Sequence, residues 1–372
     1  MTDHPHRLVR RPFARLHRSA AAAAILVLAF ARPAAAEPPH DAGHYRRLGG
    51  DSVQCQLCPR RCRLADGATG YCRVRRNTGG KLVSLVYGRP CATNVDPIEK
   101  KPLYHFLPGS QTLSLATVGC SMRCLFCQNW DISQAEPGDF DVAYVPPDLI
   151  AQRAEDGGLP SISYTYSEPA VFFEYLYDIA ATAKRAGIRN VMITSGHINP
   201  GPLAQLCAVL DAANVDLKGF SDDAYGRMAN TRLAPILEAV RVLKSRGIWL
   251  ELGYLVIPSV NDDPREIGAL CRWVADSLGP DVPLHFLRFF PQHKLAHLPP
   301  TPAATLDSAY AIARRAGIRY VYLGNLPGHR GSDTYCHRCG KLLIERRGHI
   351  VQRNAIKNGR CPSCRTRIPG RW

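Results

Sequence analysis

The sequence predicts an α/β protein: a partial (β/α) barrel, similar to a TIM barrel, with a small cysteine-rich metal module at each end. Short β-rich runs alternate with amphipathic helical stretches over residues 113–323. Several helical stretches end in a glycine that leads directly into the next β-rich run. Eleven of the fourteen cysteines fall into three tight clusters. Repeated strand–helix units favour a parallel sheet that is closed or curved into a barrel.

The chain divides into four predicted segments. Residues 1–36 form a signal peptide, residues 37–100 a linker and a four-cysteine module, residues 101–329 the barrel, and residues 330–372 a zinc-ribbon-like tail. A chain of 372 residues is long enough for one large domain with small modules beside it.

The amino-terminal segment has the pattern of an export signal. Arginines crowd its start, an apolar run covers residues 20–30, and three alanines precede Glu37. This is the order of a secretory signal with an A-x-A cleavage site, and the run is too short to span a bilayer. Arg10 and Arg11 resemble a twin-arginine signal. We expect export to the periplasm and no transmembrane segment in the mature chain; a cytoplasmic product is the alternative.

The first cysteine cluster reads Cys55-x2-Cys58-x3-Cys62-x9-Cys72. Four thiolates so close in sequence predict a metal site, and they suit either zinc or a [4Fe–4S] cluster. A pair of structural disulfides is the third alternative, and it gains weight if the protein matures outside the cytoplasm.

The barrel segment alternates strands and helices. The predicted strands cover residues 113–118, 161–166, 191–195, 214–217, 249–256, 283–288 and 320–323. The predicted helices cover residues 171–186, 202–212, 234–246, 266–277 and 301–316. In barrels of this kind the carboxyl ends of the strands carry the chemistry.

The loop after the first barrel strand carries Cys120, Cys124 and Cys127. A structural zinc site takes four ligands, and a [4Fe–4S] cluster usually takes four cysteines. Three close cysteines without a local fourth therefore predict a [4Fe–4S] cluster with one iron open to a substrate or cofactor. A zinc site that borrows a distant cysteine such as Cys91 is the alternative.

This loop resembles the signature of the radical S-adenosylmethionine (SAM) superfamily. With "DPIEKKPLYHFLPGS" at residues 96–110 and "FCQNWDIS" at 126–133, the chain resembles the radical SAM enzyme of the AmmeMemoRadiSam system. Such enzymes are related to the glycyl-radical activating enzymes, for example pyruvate formate-lyase activase. The resemblance implies that the three loop cysteines bind a [4Fe–4S] cluster whose open iron chelates SAM, and that Phe126 lies in the segment against the adenine.

The resemblance also implies further SAM contacts. "YTYSEP" at residues 164–169 stands where the family has a Gly-Gly-Glu-Pro motif, so Glu168 would hold the SAM ammonium, although Tyr166 and Ser167 replace the glycines. The alternative for Glu168 is a carboxylate that caps a helix. The remaining candidates at strand ends are Thr194, Asp216, Lys218 and Arg288. The first three match polar positions near SAM or a bound cation, with ordinary polar strand ends as the alternative. Arg288 would contact a carboxylate of SAM or substrate, or form a buried salt bridge.

The tail carries a paired CxxC motif, formed by Cys336, Cys339, Cys361 and Cys364. This spacing is typical of a zinc ribbon with four thiolate ligands. The metal would supply folding energy to a tail too small to bury its own core.

Charge is concentrated at the two ends. The formal net charge is +16, and most of the excess falls in residues 1–36 and 330–372. A basic tail indicates either a solubilising segment or a surface for an acidic partner or nucleic acid. Nucleic acid is disfavoured because no aromatic residues interleave with the basic ones.

Two classes of function follow. The first is a radical SAM enzyme that takes one electron from an external reductant and abstracts a hydrogen atom from an unknown substrate, either a protein or a small molecule. The second is a non-catalytic iron–sulfur and zinc protein that transfers electrons or acts as a scaffold. A weaker third hypothesis is nucleic-acid modification by radical chemistry, which predicts salt-sensitive binding through the tail.

Overall fold

The amino-terminal part of the described chain forms two small antiparallel sheets. The computed structural model describes residues 39–372, so the predicted signal peptide lies outside the described residues. The strands are β1 His40–Asp41, β2 Tyr45–Arg47, β3 Val53–Cys55, β4 Arg63–Leu64, β5 Arg75–Thr78 and β6 Lys81–Ser84. One sheet has the order β1-β6-β5 and the other β2-β3-β4.

Eight further strands form the central sheet. They are β7 Ala92–Pro97, β8 Gln111–Ala116, β9 Ser161–Tyr164, β10 Arg189–Thr194, β11 Ala212–Leu217, β12 Trp249–Val256, β13 Leu284–Arg288 and β14 Val321–Gly324. They lie side by side in chain order. β8 to β14 run parallel, and β7 pairs antiparallel with β8. Within the described residues β7 and β14 do not pair with each other, so the sheet is a partial barrel and the predicted fold class is confirmed.

Helices follow most of the parallel strands. They are α1 Trp130–Ser133, α2 Pro147–Asp156, α3 Phe173–Arg185, α4 Pro200–Leu206, α5 Asp222–Ala229, α6 Ala234–Ser245, α7 Pro264–Leu278 and α8 Ala303–Arg315. Each longer helix buries one apolar face; α3, for example, buries Leu176, Ile179 and Ala183. Across residues 39–372, no helix combines the length and apolar character needed to cross a membrane.

The barrel differs from the predictions at several points, and α1, α2 and α5 were not predicted. The helix expected at 202–212 ends at Leu206, and Ala212 instead opens β11, where it pairs with Val191 and Trp249. β7 was not predicted, because it is an edge strand with a half-exposed Val95 and no alternating apolar pattern. It belongs to the central sheet although it lies within residues 37–100.

The tail packs onto the edge of the barrel. Its strands, β15 Thr334–Tyr335, β16 Leu342–Arg347 and β17 Ile350–Asn354, form one antiparallel sheet. Leu343 and Ile344 of β16 share a buried cluster with three tyrosines of the barrel and the segment before it, Tyr104, Tyr320 and Tyr322. The tail is thus held by a common apolar core.

The segment between β7 and β8 closes the amino-terminal end of the barrel. The Glu251 carboxylate, buried inside the sheet, accepts hydrogen bonds from the backbone N–H groups of Tyr104 (3.0 Å) and His105 (2.8 Å). The His105 ring contacts the Pro369 carbonyl through Nδ1 (2.6 Å) and the Tyr322 hydroxyl through Nε2 (2.5 Å). Because a carbonyl only accepts, Nδ1 donates to Pro369. Burial disfavours the charged ring by lowering the pKa of His105, and in the neutral ring Nε2 accepts from the Tyr322 hydroxyl.

We expect acid to destabilise the protein through His105. Burial lowers the pKa of His105 from its usual value to about 4. Between pH 6.5 and 4 the unfolded chain binds the proton and the folded chain does not, so stability is lost as the pH falls. The loss at pH 5 is about 2 kcal/mol. Urea unfolding from pH 5 to 7 should show a shallower pH dependence for His105→Gln than for wild type. The exposed His297→Gln is the control, and an unchanged slope in His105→Gln would contradict the expectation.

Candidate active site

A cavity of about 420 Å³ lies at the carboxyl ends of the parallel strands. Its wall combines the loop after β8 with the ends of β9, β10, β11, β13 and β14. Seven of the predicted site residues line it: Cys120, Cys124, Cys127, Glu168, Thr194, Asp216 and Lys218. The fold therefore brings together side chains from four separate stretches of the sequence, at the end of the barrel where catalytic groups are found.

The cysteine loop is held in place by backbone hydrogen bonds. Gly119 N donates to Ile132 O (3.0 Å), which ties the start of the loop to α1. Leu125 N donates to Met228 O (2.9 Å) in α5. The Cys127 sulfur lies 3.2 Å from the Ser133 hydroxyl oxygen, also in α1. These contacts hold the loop against α1 and α5.

The loop thiols are difficult to ionise on their own. Burial raises the pKa of Cys124 to about 12, although the nearby Lys218 ammonium favours the thiolate. Burial, and then the negative charge of Glu168, raise the pKa of Cys120. A bound metal cation removes this penalty because it deprotonates the thiol it binds. No other cysteine lines the cavity in the described chain, so the donor set fits a [4Fe–4S] cluster with one iron open.

Glu168 is a buried carboxylate with an organised set of donors. It follows β9 and accepts hydrogen bonds from the Thr194 hydroxyl (2.6 Å) and the Ser195 backbone N–H (2.9 Å), and also from the Ser195 hydroxyl. It also accepts from Ala170 N (3.3 Å), so it caps the short helix after Pro169. Its predicted SAM role and the alternative capping role are therefore geometrically compatible. The donors fix the carboxylate at the cavity wall, where a cationic group would meet it.

Tyr166 occupies the position of a glycine in the motif, and its backbone is still in the left-handed region, with φ of 64°. Such a conformation is unfavourable for a bulky residue. Its hydroxyl donates to Asp96, and its ring lies 4.5 Å from the ammonium nitrogen of Lys101. Asp96 also accepts from Lys101 (2.6 Å) and Lys100 (2.8 Å). These contacts hold Tyr166 in this left-handed conformation.

Asp216 and Lys218 form an ion pair at the end of β11. The Lys218 ammonium lies 3.0 Å from Asp216 Oδ2. Burial alone would lower the pKa of Lys218, but the charge of Asp216 outweighs it and raises this pKa. Lys218 thus stays cationic in the cavity wall, and Asp216 is its ion-pair partner. This pairing does not favour a separate cation site at Asp216.

Two predicted SAM contacts do not line the cavity. Phe126 is buried in an apolar cluster with Met228 and Phe289, although its ring lies 5.7 Å from the Lys218 ammonium. Arg288 donates to Thr301 O (2.8 Å), and its guanidinium stacks on Phe290. The structure therefore does not bring Arg288 to the cavity. The alternative, a buried salt bridge of Arg288, is also absent from the ion pairs of the described residues.

The cavity wall includes residues that sequence reasoning missed. Ser195 follows Thr194 directly, and its position at a strand end was the available signal. Lys101 lies in the stretch that carries the family resemblance, but its charge pointed to the surface. His349 comes from the turn between β16 and β17, so the tail contributes to the wall of the cavity. No sequence pattern indicates that contact.

The tail cysteines converge on one point. The metal-binding atoms of Cys336, Cys339, Cys361 and Cys364 all lie within 4.8 Å of one another. The Cys336 and Cys364 sulfurs are 3.6 Å apart, and those of Cys339 and Cys361 are 3.7 Å apart. With a zinc–sulfur bond near 2.3 Å, a tetrahedral site places its sulfurs about 3.8 Å apart. The tail is therefore a four-cysteine metal site.

The cysteines of the amino-terminal module also lie together. Cys55, Cys58, Cys62 and Cys72 line one small cavity. All four are free thiols in the structure, so the disulfide alternative gains no support from it.

Comparisons with known proteins agree with this site. The family model described as "Radical SAM superfamily" matches residues 114–271. An uncharacterized protein of Methanocaldococcus jannaschii is 43% identical over 331 residues, which are 88% of this chain and 98% of that protein. Pyruvate formate-lyase 1-activating enzyme of Escherichia coli K12 is 22% identical over 221 residues, covering 55% of this chain and 89% of the enzyme.

Among solved structures, a radical SAM methyltransferase from Sphaerobacter thermophilus is 17% identical with a TM-score of 0.47, over 64% of this chain and 71% of that one. The family match covers the loop with Cys120, Cys124 and Cys127 as well as Glu168. The relative from Methanocaldococcus jannaschii shares most of the chain, including this part. On this evidence the chain belongs to the radical SAM superfamily.

Proposed function

We propose that this protein cleaves SAM reductively and abstracts a hydrogen atom from a substrate, as an enzyme similar to the glycyl-radical activating enzymes. The observation that carries the proposal is the cavity itself. It joins three cysteines, without a fourth from the described part of the chain, to a buried carboxylate held by four hydrogen-bond donors. A scaffold or electron-transfer protein has no need of an open iron or of Glu168 beside it.

Each residue at the cavity has a proposed task. Cys120, Cys124 and Cys127 hold the [4Fe–4S] cluster, which when bound with SAM supplies a 5′-deoxyadenosyl radical. Glu168 accepts from the SAM ammonium. Thr194 and Ser195 orient Glu168, and the Asp216–Lys218 pair sets the charge of the facing wall. The buried walls exclude water from the reacting groups.

The decisive experiment is a SAM cleavage assay on the full chain. The protein is purified anaerobically, reconstituted with iron and sulfide, reduced with dithionite and supplied with SAM. We expect 5′-deoxyadenosine and methionine. A cluster-loaded protein that forms neither, in the presence of candidate substrates, would shift the assignment to the electron-transfer alternative. In the cell an external one-electron reductant replaces dithionite.

Glu168→Gln should weaken SAM binding while the protein remains folded. The amide keeps the shape but loses the charge that meets the ammonium, and hydrogen bonds to charged groups contribute about 1.5–3 kcal/mol. We expect the Kd for SAM to rise roughly tenfold to hundredfold, measured by calorimetry on the reconstituted protein. The control is Glu155→Gln, on the exposed face of α2. An unchanged Kd in Glu168→Gln would leave Glu168 with only its capping role.

The tail metal is proposed to be zinc, on the sulfur distances given above. It would have a structural role, because all four ligand positions are taken by cysteines and no position stays open. Metal analysis of the purified protein should find about one zinc per chain. Iron in the tail would contradict this assignment.

The substrate and the place of action belong to the same proposal. The resemblance to the radical SAM enzyme of the AmmeMemoRadiSam system and the similarity to activating enzymes support a partner protein or a small molecule as substrate. Export by the signal at residues 1–36 also remains a prediction. Sequencing the amino terminus of the protein from fractionated cells tests it, and a cytoplasmic protein without cleavage near Glu37 would contradict it.

A further inference from the structure

The amino-terminal cysteines surround a small space that is kept clear of side chains. Cys55 ends β3, Cys62 precedes β4, and Cys58 and Cys72 lie in the neighbouring turns. A Cβ atom placed on Gly70 would lie 3.8 Å from both the Cys62 and the Cys72 sulfur. A larger side chain at position 70 would therefore enter the space between them. The glycine keeps this space available for a group bound by the thiolates.

Sulfur spacing distinguishes zinc from an iron–sulfur cluster in this chain. Within residues 39–372, the tail cysteines are the one group of three or more metal-ligating side chains whose donor atoms all lie within 4.8 Å of one another. The four amino-terminal sulfurs are spread more widely, and so are the three sulfurs of the Cys120 loop. A single zinc ion draws its ligands together, whereas each thiolate of a [4Fe–4S] cluster binds a different iron at a separate corner. The amino-terminal module thus resembles the Cys120 loop and differs from the tail.

A buried cation faces the same space. Arg75 is 1% exposed and forms a two-point ion pair with Glu174, with N–O distances of 2.8 and 3.0 Å. Its Nε–H is buried and has no hydrogen-bond partner among residues 39–372, although Arg75 lines the cavity formed by the four cysteines. The backbone N–H of Tyr71 already donates to the Cys62 sulfur (3.5 Å). An unpaired buried donor beside four thiolates indicates an anionic group with further acceptor atoms, such as the sulfides of a cluster.

We infer that Cys55, Cys58, Cys62 and Cys72 hold a second [4Fe–4S] cluster beside the one proposed at the Cys120 loop. Because all four of its irons have a cysteine ligand, this cluster has no position for SAM. Its chemistry is one-electron exchange. It gives one electron to the neighbouring cluster and is oxidised by one electron, while the neighbour is reduced by one. The external one-electron reductant restores it, and no bond or proton is involved.

The two modules are in direct contact. Gly119, just before Cys120, has a φ of 93°, and a Cβ atom there would lie 2.6 Å from the Cys72 carbonyl oxygen. Arg123 donates to the Cys120 carbonyl (2.8 Å) and to the Tyr71 carbonyl (2.6 Å). Its guanidinium also lies 4.3 Å from the centre of the Tyr71 ring. One side chain therefore connects the backbones that carry the two sets of ligands.

The test removes the first cluster and asks what remains. In the full chain carrying C120S, C124S and C127S together, the amino-terminal module is untouched, and tail zinc reports that the protein is folded. After anaerobic reconstitution we expect about four iron and about one zinc per chain. Dithionite reduction should give a paramagnetic signal that SAM does not change. Cys207→Ser, which alters an unclustered cysteine, is the control for thiol loss.

Each outcome decides the inference, independently of whether SAM is cleaved. Two zinc ions and no iron in the triple variant would overturn it, and so would tail zinc alone. Adding C58S and C62S should remove the remaining iron; iron that persists would place the cluster elsewhere. In the reduced wild type, broadening of both signals by each other supports the contact described above. Two signals without mutual broadening would contradict the close approach of the two clusters on which the electron exchange rests.

Discussion

Cys124→Ala will abolish formation of 5′-deoxyadenosine. Cys124 lines the cavity with Cys120 and Cys127, and the described residues of the wall offer no replacement thiolate. With two ligands the loop cannot hold the cluster, so activity should fall by at least about a thousandfold, equivalent to roughly 4 kcal/mol of barrier. The prediction is checked by measuring 5′-deoxyadenosine formation and iron content on the same reconstituted sample.

The matched control for Cys124→Ala is Cys207→Ala. Cys207 follows α4, is half-buried and does not line the cavity. We expect normal product from this variant and an unchanged zinc content in both. Cleavage of SAM by Cys124→Ala at the wild-type rate would show that the cluster is bound elsewhere, and the proposed function of the cavity would have to be abandoned.

Arg346→Ala will produce the largest loss of stability. Arg346 on β16 and Glu99 after β7 have fully buried side chains, with Arg346 Nε 3.5 Å from Glu99 Oε1. The guanidinium donates to the Tyr104 carbonyl (2.8 Å) and the Thr334 hydroxyl (2.8 Å), and it lies 4.1 Å from the centre of the Tyr104 ring. Removing one member of a buried ion pair costs about 3–5 kcal/mol, because the other charge is left unpaired.

The measurement is urea unfolding of full-length Arg346→Ala, with the tail metal bound, beside the exposed neighbour Arg347→Ala as control. We expect the control to stay close to wild type. Burial raises the pKa of Glu99, so Glu99→Gln should restore part of the lost stability in the Arg346→Ala background by removing the bare charge. Equal stabilities of the two arginine variants would mean that the tail does not depend on this ion pair.

The sequence predicted the parallel strands of the barrel closely because each of them can be recognised from its own residues and the residues next to it. The strand expected at 249–256 has those bounds in the structure, and buried runs followed by a helix and a glycine identify the others. Cysteine spacing located the tail metal site for the same reason. β7 was not predicted because only its pairing with β8 identifies it as a strand. Its own residues are mostly polar or exposed and show no alternating apolar pattern.

The part of the site that could not be predicted depends on contacts between distant residues. Arg346 meets the Tyr104 carbonyl, 242 residues away in the chain. His349 reaches the cavity only because β16 and β17 dock on the barrel edge. Arg288 was misplaced because a strand end offers two faces, and its alternation with neighbours does not say which faces the cavity. Packing between distant parts of the chain determines which side chains reach the cavity, and a local sequence pattern carries no information about that packing.

Because β16 and β17 contribute to the site, its parts become available in a fixed order during translation. The ribosome makes Cys120 and Glu168 long before it makes residues 342–354, yet His349 completes the wall around them. A polypeptide interrupted before β16 would lack that wall and the partner of Glu99. Translation therefore produces the cysteines and the carboxylate of the candidate site early, and it produces the residues that complete the cavity wall late.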